Sequence, residues 1–294
     1  MQEIVPGVAS LPLTIENVYF VGEPGQPWCL VDTGTPGEAG RIRAAAAERY
    51  GVASRPEAIL LTHGHTDHAG SAAALAEAWN VRLYAHALEF PYLTGRTKYP
   101  PKDPTVGGAM ALVSRVFPMD VVNLSGLLQP LPDDGVVPGL PGWEWHFTPG
   151  HSPGHVSYFS AEKSLLLAGD AFTTVNLNSF AAILTKKPEI SLPPPPFTCD
   201  WEAARKSVAL LAELGPTAIG CGHGAPMSGP RLPDDLRQFS QTFTPPAHGR
   251  YVGSPAQTDQ NGIVSLPPPA PDLFPVQAAA IAVVAAGAYS LSKR

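Results

Sequence analysis

Three imidazoles and one carboxylate fall within six positions in the run Thr62-His63-Gly64-His65-Thr66-Asp67-His68-Ala69-Gly70. The run follows directly on the apolar segment 58–62, Ala-Ile-Leu-Leu-Thr, which reads as a buried strand. Packing alone rarely places polar groups that densely at the end of a core strand. Imidazole nitrogen and carboxylate oxygen are the donors that zinc and other divalent metals take in open catalytic sites. Four such donors exceed what one metal with a free coordination position needs, so the run has room for two. From extended backbone His63 and His65 point the same way, whereas Asp67 and His68, at the start of the next helix, fan out in another direction.

Three further candidates each sit on a glycine-flanked loop after a strand. They are His151 in Thr148-Pro149-Gly150-His151-Ser152-Pro153-Gly154-His155, Asp170 in Leu167-Ala168-Gly169-Asp170, and His223 in Gly220-Cys221-Gly222-His223-Gly224. Taken singly, each is an ordinary loop residue; in order behind the first cluster they supply its missing donors.

Around these sites strands, loops and helices alternate. Segments 17–21 and 28–32 read as a strand meander, 37–50 and 71–79 as helices, and 81–84 as a strand. A Pro/Gly-rich insertion at 92–106 leads into a short helix near 110–117. Strands are expected at 143–147, 156–159 and 165–168, and an irregular stretch with four consecutive prolines at 171–198. A helix at 201–214 and a strand at 217–220 close a main domain of residues 1–229. Beyond it lie an extension (230–264), a proline-rich linker (265–275) that should be stiff, and an apolar tail (276–294).

The motifs resemble, in order and over about residues 4–229, the metallo-β-lactamase fold superfamily of hydrolases. They are Val31-Asp32-Thr33-Gly34, the His-x-His-x-Asp-His signature at 63–68, Gly150-His151, Gly169-Asp170 and Gly222-His223. The resemblance implies an α/β fold, an αββα sandwich with metals at one edge of the two sheets. Carried over by position, His63, His65 and His151 would hold a first metal, Asp67, His68 and His223 a second, and Asp170 would bridge them. Asp32 resembles the family's carboxylate that supports the histidine loop, in keeping with the rule that ligating imidazoles are oriented by outer acceptors. The implied cofactors are two divalent metal ions, zinc first, with iron or manganese as alternatives. Two such ions can share a water, present it as hydroxide and polarise a carbonyl. Asp67 and Asp170 are the carboxylates expected to serve catalysis, Asp170 by passing the released proton to the leaving group.

Within the superfamily Asp170 counts against a dedicated β-lactamase, which leaves β-lactam hydrolysis as a promiscuous side reaction. Glyoxalase II enzymes share all seven ligands, but their Gly-rich continuation after the bridge and their basic C-terminal cluster have no counterpart here. Acyl-homoserine lactonases carry a tyrosine three positions after the bridge, where this chain has Thr173. The chain resembles most a less characterised bacterial group with Asp103-Pro104-Thr105-Val106-Gly107-Gly108 and Asp170-Ala171-Phe172. Aromatic residues of the insertion (Phe90, Tyr92, Phe117) and the loop 172–197, poor in cations, suit a neutral, partly apolar small-molecule ester or lactone. A glyoxalase II-like thioesterase and a mononuclear iron persulfide dioxygenase are the alternative readings.

Of the remaining histidines, His155 should order the ligand loop, His86 and His146 read as structural, and His248 as part of a solvated loop. Cys221 reads as a small buried apolar residue. Three cysteines fit a reducing compartment, and a formal charge of −6 without a dense Lys/Arg block excludes nucleic acid as a partner. The N-terminus lacks a signal peptide's basic and apolar regions, which points to a cytoplasmic protein. Residues 276–291 would span about 24 Å as a helix against a hydrocarbon core of about 30 Å. That length suits docking, oligomerisation or membrane contact, although Lys293 and Arg294 lie on the wrong side for a positive-inside tail anchor.

Overall fold

The computed structural model describes residues 1–117, 122–272 and 274. Two sheets face one another. The first contains, in chain order, β1 (Gln2–Val5), β2 (Val8–Pro12), β3 (Asn17–Val21), β4 (Cys29–Val31), β5 (Ala58–Leu60), β6 (Leu83–Ala85) and β7 (Leu128–Pro130). Pairing is antiparallel from β1 to β4 and parallel from β4 to β7. The second contains β8 (Glu144–Phe147), β9 (Val156–Ser160), β10 (Leu165–Gly169), β11 (Ala218–Cys221) and β12 (Met227–Ser228), and its parallel pair is β10 with β11.

Each parallel step needs a crossover, and helices supply it. Helix α1 (Ala39–Tyr50) lies between β4 and β5, and α2 (Thr66–Ala69) with α3 (Ala72–Trp79) between β5 and β6. The insertion between β6 and β7 carries α4 (Phe90–Leu93) and α5 (Gly108–Ser114). Between β10 and β11 run α6 (Phe180–Thr185) and α7 (Trp201–Glu213), and α8 (Leu232–Thr242) follows β12.

Strand parity builds the layers. Successive side chains point to opposite faces, and β4, β5 and β10 carry no polar side chain and are buried at every position, so both faces are covered. Val18, Phe20, Leu30 and Ile59 pack outward against Ile42, Leu75 and Trp79 of α1 and α3. Their neighbours Tyr19, Val31 and Leu60 point inward and meet Tyr158, Leu165 and Leu167 of the second sheet. On the far side Leu166 and Ile219 pack against Trp201, Val208 and Leu211 of α7. The order is helix, sheet, sheet, helix: the αββα sandwich that the family resemblance implies.

The irregular stretch 171–198 contains two short helical elements that composition hides, the second a single 3-10 turn at Pro195–Phe197. Ser179 caps Ala182 N–H at 3.2 Å and starts the short helix α6. After Gly229 the chain continues into the same core: Leu232, Leu236, Phe243, Tyr251 and Ala256 share the buried cluster of α7. Residues 230–264 are therefore joined to the body by continuous packing, with the hairpin β13 (Gln257–Asp259) and β14 (Gly262–Ser265) at their end. Within 265–275, Pro267 O accepts from Arg250 Nε at 2.9 Å and Asp272 pairs with Arg115 at 2.6 Å. Those contacts tie the proline-rich stretch, expected to be stiff, to the extension through Arg250 and to the insertion through Arg115. The apolar tail at 276–294 lies outside the described residues. Among the described residues no helix is long and apolar enough to cross a membrane.

Asp103, 3 % exposed, is one tie between the insertion and the C-terminal segment: its carboxylate accepts from Thr105 N–H and Thr105 Oγ1 within the insertion and from Arg250 N–H across it. Replacing it leaves buried donors unpaired. Asp103→Ala should cost about 1–3 kcal/mol, read as a lower urea midpoint with an unchanged slope.

Candidate metal centre

The site forms where strand ends from both sheets meet. Asp32 follows β4 with left-handed backbone (φ 60°), a conformation that Asp tolerates better than most residues. Its N–H donates to Leu60 O, and its buried carboxylate accepts from Thr62 N–H, Thr62 Oγ1 and His68 Nδ1, each at 2.8 Å. The start of the histidine loop is thereby fastened to the neighbouring strand.

Once held there, the donors converge. His63 Nε2 lies 3.0 Å from His65 Nδ1, which lies 2.9 Å from His151 Nε2. One ring nitrogen has a single proton or a single lone pair, so His65 Nδ1 cannot serve both neighbours as an ordinary hydrogen-bond partner. Donors about 2.0–2.1 Å from a tetrahedral zinc stand roughly 3.4 Å apart, close to these spacings. Asp67, His68 and His223 form a second group, with His223 Nε2 3.4 Å from Asp67 Oδ2. Asp170 Oδ2 stands between the groups, 3.5 Å from His151 Nε2, 3.5 Å from His68 Nε2 and 3.3 Å from His223 Nε2. His68 Nε2 and Asp170 Oδ1 are buried with no hydrogen-bond partner, a state that cations between the groups would relieve. The residue set fits divalent metal binding.

Outer acceptors set the ring orientations. His223 Nδ1 faces Ile15 O at 2.8 Å and His68 Nδ1 faces Asp32, which turns both Nε2 atoms inward. His155 accepts Asp170 N–H at 2.9 Å through Nε2, so it orders the backbone of Asp170 as well as its own loop. Gly222 admits close approach: a Cβ there would strike Asp170 Oδ1 and the His68 ring.

Burial and neighbouring charge shape the protonation states. Burial pushes His63 and His151 well below the usual histidine range and His65 down to about 4, keeping the rings neutral, the form in which imidazole can ligate. Burial also takes His155 down to about 3. For Asp67 and Asp170 burial works upward, but His68 and His223 hold both carboxyls low. Burial alone would lower His68 and His223; Asp170 and the other carboxylates raise them instead. Positive charge is thus favoured at that point, whether carried by protons or by a metal.

A cavity of about 280 Å³ opens onto His65, Asp67, His151, Asp170 and His223. Its walls include Tyr92, Tyr99, Met110 and Phe117 from the insertion and Pro194 and Phe197 from the loop before α7, and Lys98 is the one Lys or Arg lining it among the described residues. Phe90, expected at this wall, packs against the helix-side core of the first sheet instead. The other histidines stand apart: His86 stacks on Phe147 at 4.5 Å, His146 is half-buried on β8, and His248 is exposed. Cys221 lies in the α7-side core.

Glu89 gave no signal in the sequence. It is fully buried between the two histidine loops and accepts from Gly64 N–H, Ser152 Oγ, Gly154 N–H and Tyr99 OH. Burial pushes its carboxyl upward against those four donors.

The family profile described as the metallo-beta-lactamase superfamily matches residues 11–223. The chain is 42% identical over 245 residues to the probable metallo-hydrolase YflN of Bacillus subtilis (strain 168), covering 82% of this chain and 93% of that one. It is 29% identical over 187 residues to a hydroxyacylglutathione hydrolase of Cereibacter sphaeroides (strain ATCC 17025 / ATH 2.4.3), covering 63% and 54%. Among solved structures, TTHA1623 in a di-iron-bound form is similar with a TM-score of 0.50 and 26% identity, covering 75% of this chain and 93% of that one.

Gly222→Ala should push Asp170 out of place and reduce the metal retained after dialysis at least about tenfold, measured by elemental analysis of folded protein.

Proposed function

The chain belongs to the metallo-beta-lactamase superfamily, and from that premise we propose that it is a dinuclear metal-dependent hydrolase of a small, neutral, partly apolar carboxylic ester or lactone. The observation that carries this reading is the aromatic, cation-poor cavity directly over the convergent donors. Apart from the ions, a phosphodiester or polyanion would find a single cationic side chain, Lys98, among the described lining residues.

His63, His65 and His151 would hold one ion, Asp67, His68 and His223 the other, and Asp170 would serve both. When bound, the ions supply Lewis acidity that polarises a carbonyl and makes water nucleophilic near neutral pH. Zinc suits this set of nitrogen and carboxylate donors, and iron is kept in view by the di-iron form of TTHA1623. The chain's own residues do the rest. Asp32 and Ile15 O orient His68 and His223. The walls from Tyr92 to Phe197 take the acyl portion and exclude bulk water. Asp170 accepts the proton that the attacking water gives up and returns it to the leaving oxygen, so ester and water become acid and alcohol.

A thioesterase reading is favoured by the similarity to a hydroxyacylglutathione hydrolase. A glutathione moiety carries two carboxylates, however, and Lys98 is the one Lys or Arg lining the cavity among the described residues.

A panel of lactones, aryl esters, thioesters, β-lactams and phosphodiesters tests the substrate class. Lactones or esters should give the highest kcat/KM, and preference for thioesters would replace this reading with the second. His65→Ala and Asp170→Asn should each lower kcat/KM at least about a hundredfold, and chelators should abolish activity. Direct attack by water also means that serine-directed reagents leave the rate intact, and that mass spectrometry during turnover finds no acyl adduct.

A further inference from the structure

Glu89 sits on the short helical turn before α4, far in sequence from both histidine loops. Its Oε1 accepts from Ser152 Oγ at 2.8 Å and Gly154 N–H at 2.6 Å, in the loop that carries His151. Its Oε2 accepts from Gly64 N–H at 2.9 Å, between His63 and His65, and from Tyr99 OH. Both loops are bare where the carboxylate approaches: a Cβ on Gly154 would strike Glu89 itself, and one on Gly64 would strike Tyr99. Tyr99 in turn places its ring 4.5 Å from that of His65 and lines the cavity.

We propose that Glu89 is a positioning residue that holds the His63–His65 loop and the His151 loop in register and ties both to Tyr99 in the substrate-pocket wall. The inference rests on the metal-centre reading above. A carboxylate offers about four acceptor sites, and here four donors from three segments fill them. Each oxygen faces one backbone N–H, which cannot reverse, and one hydroxyl, which can. An amide in place of the carboxylate therefore turns an NH₂ group against a backbone N–H in either orientation. Glu89→Gln, nearly isosteric, should disturb one histidine loop whichever way it settles. Supporting acceptors of this kind influence metal affinity about 10–100-fold.

The test uses the full chain loaded with Co²⁺, whose visible ligand-field spectrum reports donor geometry, together with chelator competition and kcat/KM. Glu89→Gln should change the cobalt spectrum, weaken retention at least about tenfold and lower kcat/KM, at a temperature where circular dichroism shows the chain folded. Ser152→Ala and Tyr99→Phe remove one donor each and keep the carboxylate, so each should weaken retention less than Glu89→Gln does. If Glu89→Gln does not fold, these two carry the test, and wild-type spectra and retention in both overturn the inference. A folded Glu89→Gln with a lower Tm but an unchanged cobalt spectrum and retention overturns it too, since Glu89 would then be structural only. A wild-type chain that takes up no cobalt overturns the metal-centre reading and this inference with it. A metal-binding wild type with an indifferent Glu89→Gln overturns the inference alone.

Discussion

The buried carboxylate of Asp32 joins β4, β5 and the histidine loop, and the geometry of the centre builds outward from those three hydrogen bonds. A buried carboxylate must be satisfied or it costs several kcal/mol, on the order of the penalty for an unpaired buried charge. Thr62 supplies two donors from the last turn of extended chain and His68 supplies the third from the first turn of α2. The same neighbourhood fixes the backbone, because Thr33 N–H and Thr33 Oγ1 both donate to His68 O at 2.7 Å. With His68 held at both its ring and its carbonyl, the intervening donors have little freedom in where they point.

The second sheet contributes through its own strand ends. β10 and β11 are parallel, so both deliver their C-terminal loops to one edge, and the register shift between Leu167 and Gly169 lets Gly222 N–H reach Gly169 O at 2.8 Å. Asp170 and His223 are brought face to face by that pairing. His151 arrives from the β8–β9 connection, where Thr148 N–H donates to His155 O and closes the loop beneath it. The sandwich therefore places donors from two separately formed sheets within hydrogen-bonding distances, at the cost of crowding several titratable groups in a dry space. Protons, neighbouring carboxylates or metal ions are the ways to relieve that crowding, which is why the protonation of His68 and His223 runs opposite to that of His63 and His151.

The pocket is a separate construction. Its walls come from the insertion after β6 and the loop before α7, segments with little regular structure of their own. Packing supplies what local hydrogen bonding does not: Tyr92 stacks on Tyr99 at 4.2 Å, and Phe117 meets Phe197 edge-on at 6.2 Å. The C-terminal segment backs the insertion, with Tyr251 OH donating to Pro101 O at 2.7 Å and Arg115 held by Asp272. Substrate preference would thus depend on residues about 150 positions along the chain from the insertion residues that they back.

The sequence by itself determined the layers and the runs that carry the candidate donors. Apolar residues at every position of 18–21, 29–31, 58–61 and 165–168 demand burial on both strand faces, and donor-bearing loops at strand ends are visible as short runs because their spacing is local. Tertiary structure decided the partnerships between segments. The stretch before α7 conceals a capped helical turn, and the residues after Gly229 read as polar extension although Tyr251 and Ala256 complete the α7 core. Glu89 shows the reason most clearly. A lone glutamate in a helical turn reads as a solvated surface residue, and its role depends on Gly64, Tyr99, Ser152 and Gly154 arriving around it. A chain's local pattern specifies which face of an element is apolar and which loop carries a donor. The acceptor that a buried N–H finds across the fold is set only when the sheets and the insertion have packed.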